Sequence, residues 1–142
     1  MKSRAFAVLA VAVVGVALAL PAAAQTLVLK ANVRFEFNLA GKAMPAGAYV
    51  FQMDAGSPVL RVRNFDAEVS VLSLGVQPPT VGRRTGDARL TFNRYGDTYF
   101  LSTVVNGHTG VGFEAPITKG ERELARSASV QKYEILAVLA RQ

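Results

Sequence analysis

Apolar and polar residues alternate along most of the chain beyond residue 25. In Val33-Arg34-Phe35-Glu36-Phe37-Asn38-Leu39 every odd position is apolar and every even one polar. A period of two sends successive side chains to opposite faces of a strand. One face is then buried and the other wetted, as in antiparallel sheets. Residues 41–47 form a connection, with Pro45 suited to the second position of a tight turn and Gly47 to the fourth. Residues 48–53 return as a strand. Residues 54–58 are a turn cluster, 59–63 a short strand, 64–67 a second turn and 68–74 a more apolar strand. The stretch 75–87 holds the adjacent Pro78 and Pro79 together with Arg83-Arg84, and it reads as the longest loop.

The strand-like runs 89–95 and 98–105 flank Gly96-Asp97. That pattern predicts a β-hairpin in which the glycine supplies a positive φ. Asn106-Gly107 signals another turn, leading into a glycine-rich short strand over 109–115. The period changes over 119–128, where good helix formers follow Thr118 as a cap, with Glu121 as its capping-box partner. Residues 133–139 fit helix or strand. We read a strand, because Tyr133, Ile135, Ala137 and Leu139 then share one face. Together these elements predict a mainly β protein: an antiparallel sandwich or small barrel of about seven or eight strands with one short C-terminal helix.

The N-terminus has a different character. Met1-Lys2-Ser3-Arg4 is a basic head, Ala5 to Leu20 is uniformly apolar or glycine, and Pro21-Ala22-Ala23-Ala24 supplies a helix breaker and small residues. This is the layout of a bacterial secretory signal peptide cleaved after Ala24. An uncleaved anchor would need ~20 apolar residues and would usually continue with bulky ones, whereas here proline and alanines intervene. The expected organisation is therefore a signal peptide at 1–24 and a single β-rich domain at 25–142. The product would be exported to the periplasm or beyond the cell, with no stable membrane insertion after cleavage. A lipid anchor is excluded by the absence of cysteine.

The lack of cysteine also removes disulfides, thiol catalysis and thiolate metal sites. With the signal gone, 14 basic residues face 10 acidic ones, a net charge of about +4. The basic residues are scattered, so no dense patch for nucleic acid exists. An outer-membrane barrel would need strands of ~9–11 residues and aromatic girdles, and most strands here read shorter.

Candidate chemistry is sparse, and no catalytic residue, metal site or cofactor is assigned. The residues best placed for ligand or partner contact are Arg94, Tyr95 and Asp97 at the hairpin corner and Arg83 and Arg84 in the long loop. Geometry alone already accounts for a Gly-Asp turn. Glu114, Glu121 and Glu123 could join in acid–base or cation chemistry, but acidic residues near a helix start also serve the helix dipole. His108 is the only histidine, and no Gly-x-Ser-x-Gly elbow accompanies it. Phe35, Phe37, Tyr49 and Phe51 would be core, or would line an apolar cavity.

The segments Val33-Arg34-Phe35-Glu36-Phe37, Met44-Pro45-Ala46-Gly47-Ala48-Tyr49, Asn93-Arg94-Tyr95-Gly96-Asp97-Thr98-Tyr99-Phe100-Leu101 and Glu121-Arg122-Glu123-Leu124-Ala125 occur in this order. The chain thereby resembles a group of small exported, β-rich bacterial proteins to which no activity is assigned. The resemblance implies architecture and export and carries over no functional residue. The expected role is a non-enzymatic envelope structural or protein-interaction module, meeting another envelope protein. The alternative is a small barrel carrying an apolar molecule, with a hydrolase a distant third. The first expects a filled core and an exposed strand edge. The second expects a cavity of ~300 Å³ or more. The third expects Glu114, Glu121 or His108 to converge.

Overall fold

The computed structural model describes residues 26–54, 56–64, 66–77 and 86–140. The signal-peptide segment and Arg83-Arg84 lie outside them. Alternation becomes strands in chain order: β1 (Thr26–Val33), β2 (Phe37–Leu39), β3 (Lys42–Met44), β4 (Gly47–Asp54), β5 (Val59–Asn64), β6 (Val69–Leu74), β7 (Ala88–Tyr95), β8 (Thr98–Val105), β9 (Gly112–Glu114), then helix α1 (Lys119–Ser127) and β10 (Gln131–Leu139). Among the described residues seven strands have six or more residues, and β2, β3 and β9 have three each.

The strands form one sheet in the order β3-β2-β8-β7-β10-β1-β4-β5-β6, and β9 pairs with β8. β2 and β9 share one side of β8: β2 runs beside Tyr99 and Phe100, β9 beside Thr103 to Val105. The sheet curls until Val76, just past β6, meets Glu114 of β9. The two residues exchange N–H···O bonds of 3.0 and 2.8 Å. The result is a nearly closed barrel.

One wall is thin. β1 and β10 pair only at Leu29–Leu139 and Lys30–Val138, although β1 follows β4 along its whole length. Beyond Lys30 the two strands part. Aromatic rings fill the widening seam: Phe35 stacks on Tyr99 (centroids 3.8 Å apart) and meets Phe92 and Tyr133 edge-on.

The interior is packed with side chains. Phe37, Tyr49, Phe51, Phe92 and Phe113 are buried among Leu29, Val33, Leu60, Val62 and Leu90. Burying a side chain of this size contributes roughly 1.5–3 kcal/mol. The Tyr49 hydroxyl donates to the Pro45 carbonyl, so its polar end is satisfied inside the wall.

Two sequence expectations need correction. The run 33–39 is not one strand. β1 already begins at Thr26, and the chain leaves it at Arg34 to pair Phe37 with Tyr99 as β2. Burial still alternates across the break, because Val33, Phe37 and Leu39 all face the core. Period two persisted while the pairing partner changed. The connection 41–47 likewise contains β3, joined to β2 by a tight turn in which Ala40 and Gly41 take φ of 51° and 77°. The hairpin at Gly96-Asp97 forms as its sequence predicts, with Gly96 at φ 61°, and residues 131–139 are a strand.

Candidate functional site

The hairpin corner divides its residues between two faces. Arg94 lies on the face of Phe92, with its guanidinium 5.4 Å from the centre of the Tyr99 ring. Its Nε donates to the Gly96 carbonyl at 2.7 Å, and Nη2 sits 3.8 Å from the exposed Asp97 carboxylate. Tyr95 points the opposite way and is buried beneath α1. Arg94 and Asp97 are therefore together, and Tyr95 belongs to another group. An exposed ion pair of this kind is worth at most ~1 kcal/mol.

That second group is the most polar feature of the interior. Helix α1 starts at its cap Thr118, whose hydroxyl accepts from the Glu121 N–H at 3.3 Å. Only half of the expected capping box forms. The Glu121 carboxylate turns inward instead and accepts from Asn93 Nδ2 (2.8 Å) and Tyr95 Oη (3.2 Å). Lys132 of β10 donates to the Asn93 side-chain oxygen. One carboxylate thus ties the helix to β7, and Asn93 carries the chain of bonds on to β10. Burial raises the pKa of the Tyr95 hydroxyl, and the neighbouring Glu121 charge and their hydrogen bond add to the rise. The arrangement satisfies each of its members, as a buried polar network must.

A β-bulge makes room for it. β7 and β8 pair Thr91 with Thr103 but Phe92 with Leu101, leaving Ser102 as the extra residue. Beyond that point the facing of β8 flips. Leu101 goes to the core, and Phe100 goes outward to meet Tyr95 edge-on, with centroids 5.9 Å apart.

Glu114 is exposed on β9, His108 is exposed in the turn after β8, and Glu121 lies under the helix. No hydrogen bond or ion pair joins any two of them. Among the described residues no group of three His, Cys, Asp or Glu is placed to hold a metal. At one end of the barrel a mouth of about 120 Å³ opens beside Leu27, Met53, Asn106 and Val111. A larger open groove of about 510 Å³ runs along the outside of the seam, past Lys30, Asn32, Val50 and Val138.

A feature that the sequence did not locate is the edge position of β6, whose pattern predicts only a strand. β6 ends the sheet, and no strand among the described residues pairs with residues 69–74 on the side away from β5. Its outward side chains are bare: Leu72 is 63 % exposed, Leu74 70 % and, one residue past Gly75, Val76 64 %. The alternating leucines and valines identified a strand. Its place at the end of the sheet depends on pairing between distant segments, which a local pattern does not encode.

Comparison with protein-family models, with curated proteins and with solved structures found no match.

Proposed function

We propose that the protein is an exported, non-enzymatic interaction module that meets another protein through the free edge and outer face of β6. The observation that carries this reading is the exposed Leu72, Leu74 and Val76 beside a strand edge that is unpaired among the described residues. Such an edge is a ready template for strand addition, and natural sheets usually protect it with charge, proline or a bulge. None of these occurs over β6, Val-Ser-Val-Leu-Ser-Leu. Export rests on the N-terminal pattern. The outer face mixes charged Lys30, Arg61 and Glu134 with bare Leu72, Leu136 and Val138, unlike the continuous apolar band of a lipid-facing barrel. The carrier alternative draws less support, because the barrel mouth holds about 120 Å³ where drug-sized ligands occupy ~300 Å³ or more.

The test is a photo-crosslinking residue at position 72, with position 136 as control, in cells that produce the protein naturally. Position 136 is equally bare, at 65 % exposed, but lies on β10. Protein adducts at 72 and not at 136 are expected, and equal labelling at both would refute the reading. The intact mass from the same preparation reports the processing site. An N-terminus at Gln25 is the expected result, and a mass excess of a few hundred daltons would favour the carrier.

A further inference from the structure

We infer that the partner of the β6 edge is a second copy of this chain, joined by two-fold antiparallel pairing centred on Leu72; the inference rests on the edge reading above. The backbone carries the argument. Gly75 donates its N–H to Pro58 on the β5 side at 2.9 Å, while Val76 exchanges bonds with Glu114 on the opposite side. Along a strand these directions alternate from residue to residue. The N–H and C=O groups of Ser70, Leu72 and Leu74 therefore point out along the free edge, in phase with Val76.

A two-fold axis at Leu72 sets Leu72 opposite its own copy and Ser70 opposite Leu74. Each such pair exchanges two hydrogen bonds, so every outward group of the three residues finds a partner. Moving the axis to Ser73 would set Ser70 against Val76, whose groups are already bonded to Glu114. The favoured register also joins the apolar stripes of the two copies on the outer face, Leu72 on Leu72 and Leu74 beside Ser70.

Charge points to the same partner. Residues 69–77, Val-Ser-Val-Leu-Ser-Leu-Gly-Val-Gln, contain no acidic or basic side chain. Self-pairing therefore sets no like charges against each other, and nothing on this edge selects a charged stranger. A five-residue pairing buries less than the ~1,200–2,000 Å² of a standard stable interface, so the dimer is weak and depends on concentration.

Two experiments on the processed protein from its own cells test this. Sedimentation equilibrium from micromolar to millimolar concentration should show a monomer–dimer equilibrium. Leu72→Lys should weaken it at least tenfold, and Leu136→Lys should leave it unchanged. Because the chain has no cysteine, single-cysteine variants report the register. Leu72→Cys should oxidise to a covalent dimer, since opposed residues sit ~5.5 Å apart, within the span a disulfide bridges. Ser70→Cys and Leu74→Cys alone should cross-link at least fivefold less. Monomers throughout the concentration range, or equal cross-linking from Leu136→Cys, would overturn self-pairing. If monomers persist while position 72 still labels a different protein in cells, self-pairing falls and the edge reading stands. If neither association is seen, both fall.

Discussion

Gly75 sits where β6 hands over to the barrel closure, and replacing it with alanine should loosen that closure. A Cβ at this position would lie 2.3 Å from the Glu114 carbonyl oxygen and 2.4 Å from two ring carbons of Phe113. Neither neighbour can yield cheaply. The carbonyl is β9 backbone and accepts the Val76 N–H, and the Phe113 ring is buried in the core. If the strands hold, the overpacking costs about 1–3 kcal/mol. If β9 swings away, two hydrogen bonds worth about 1 kcal/mol each are lost, along with some Phe113 packing. Both routes lead to about 2–3 kcal/mol, a substantial part of the ~5–15 kcal/mol that holds a domain folded. The melting temperature should fall by roughly 10 °C, and the urea midpoint by about 1–2 M. Far-UV circular dichroism in a urea titration measures this without tryptophan, which the chain lacks. Gly120→Ala is the control, because its new Cβ meets nothing within 4 Å. Lying in α1, it should stabilise by up to ~1 kcal/mol. A Gly75→Ala protein within ~0.5 kcal/mol of the original would show that the Val76–Glu114 junction contributes nothing to stability, and the account of closure would be wrong.

Glu121→Ala should cost about 2–3 kcal/mol in the same titration, since Asn93 and Tyr95 lose their buried acceptor. Glu121→Gln, which keeps an acceptor oxygen, should cost less, and equal losses would mean that the negative charge, not the acceptor oxygen, carries the effect. Burial raises the pKa of the Tyr49 and Tyr95 hydroxyls above the ordinary 10.0, with the neighbouring Asn64 side chain partly offsetting the rise at Tyr49. A raised folded pKa gives stability that is complete below pH 10 and is lost as pH climbs from 10 through the folded values. Tyrosinate absorbance should therefore show two hydroxyls ionising late and together with unfolding, and Glu121→Gln should lower the Tyr95 value. Ionisation of both at the ordinary pH with the fold intact would contradict this. Phe35→Ala removes the ring that fills the seam and should cost about 2–3 kcal/mol. Amide exchange over 131–137 should rise at least tenfold, and unchanged exchange there would show that the aromatic plug does not hold the seam.

The strands were legible because burial follows the written alternation. Leu60 and Val62 of β5 face inward and Arg61 outward, as their order in the sequence predicts. Gly96-Asp97 specified its hairpin because only local dihedrals were at stake. Three features escaped, each for a non-local reason. Alternation runs unbroken through Arg34 to Glu36, so the transfer of the chain from β4 to β8 leaves no mark in the period. Adjacent apolar residues, Phe100-Leu101, hinted at the bulge but were equally consistent with a two-sided strand. Glu121 occupied the right place for a capping box, yet the buried Asn93 and Tyr95 donors outcompeted the cap. Of the expected contact residues, Arg94 and Asp97 meet because a turn joins them. Tyr95 parts from them because strand neighbours face opposite ways, a consequence already contained in the alternation rule.

The placement of β10 between β7 and β1 has a consequence for how the chain acquires its structure. The last strand is the keystone: apart from the short Val76–Glu114 closure, among the described residues it is what joins the β1-β4-β5-β6 half of the sheet to the β7-β8 half, and it does so by setting Leu139 beside Leu29. During synthesis the first half can form its hairpins early, but it must wait for nearly the whole chain before its second flank is covered. Pairings so distant in sequence make for slow folding. Until β10 arrives, both flanks of the early sheet, β1 and β6, are open to other chains. Shortening the chain by its final dozen residues should therefore leave two half-sheets held by little more than the Val76–Glu114 closure and prone to association, a failure far larger than the contacts of one exposed strand would suggest.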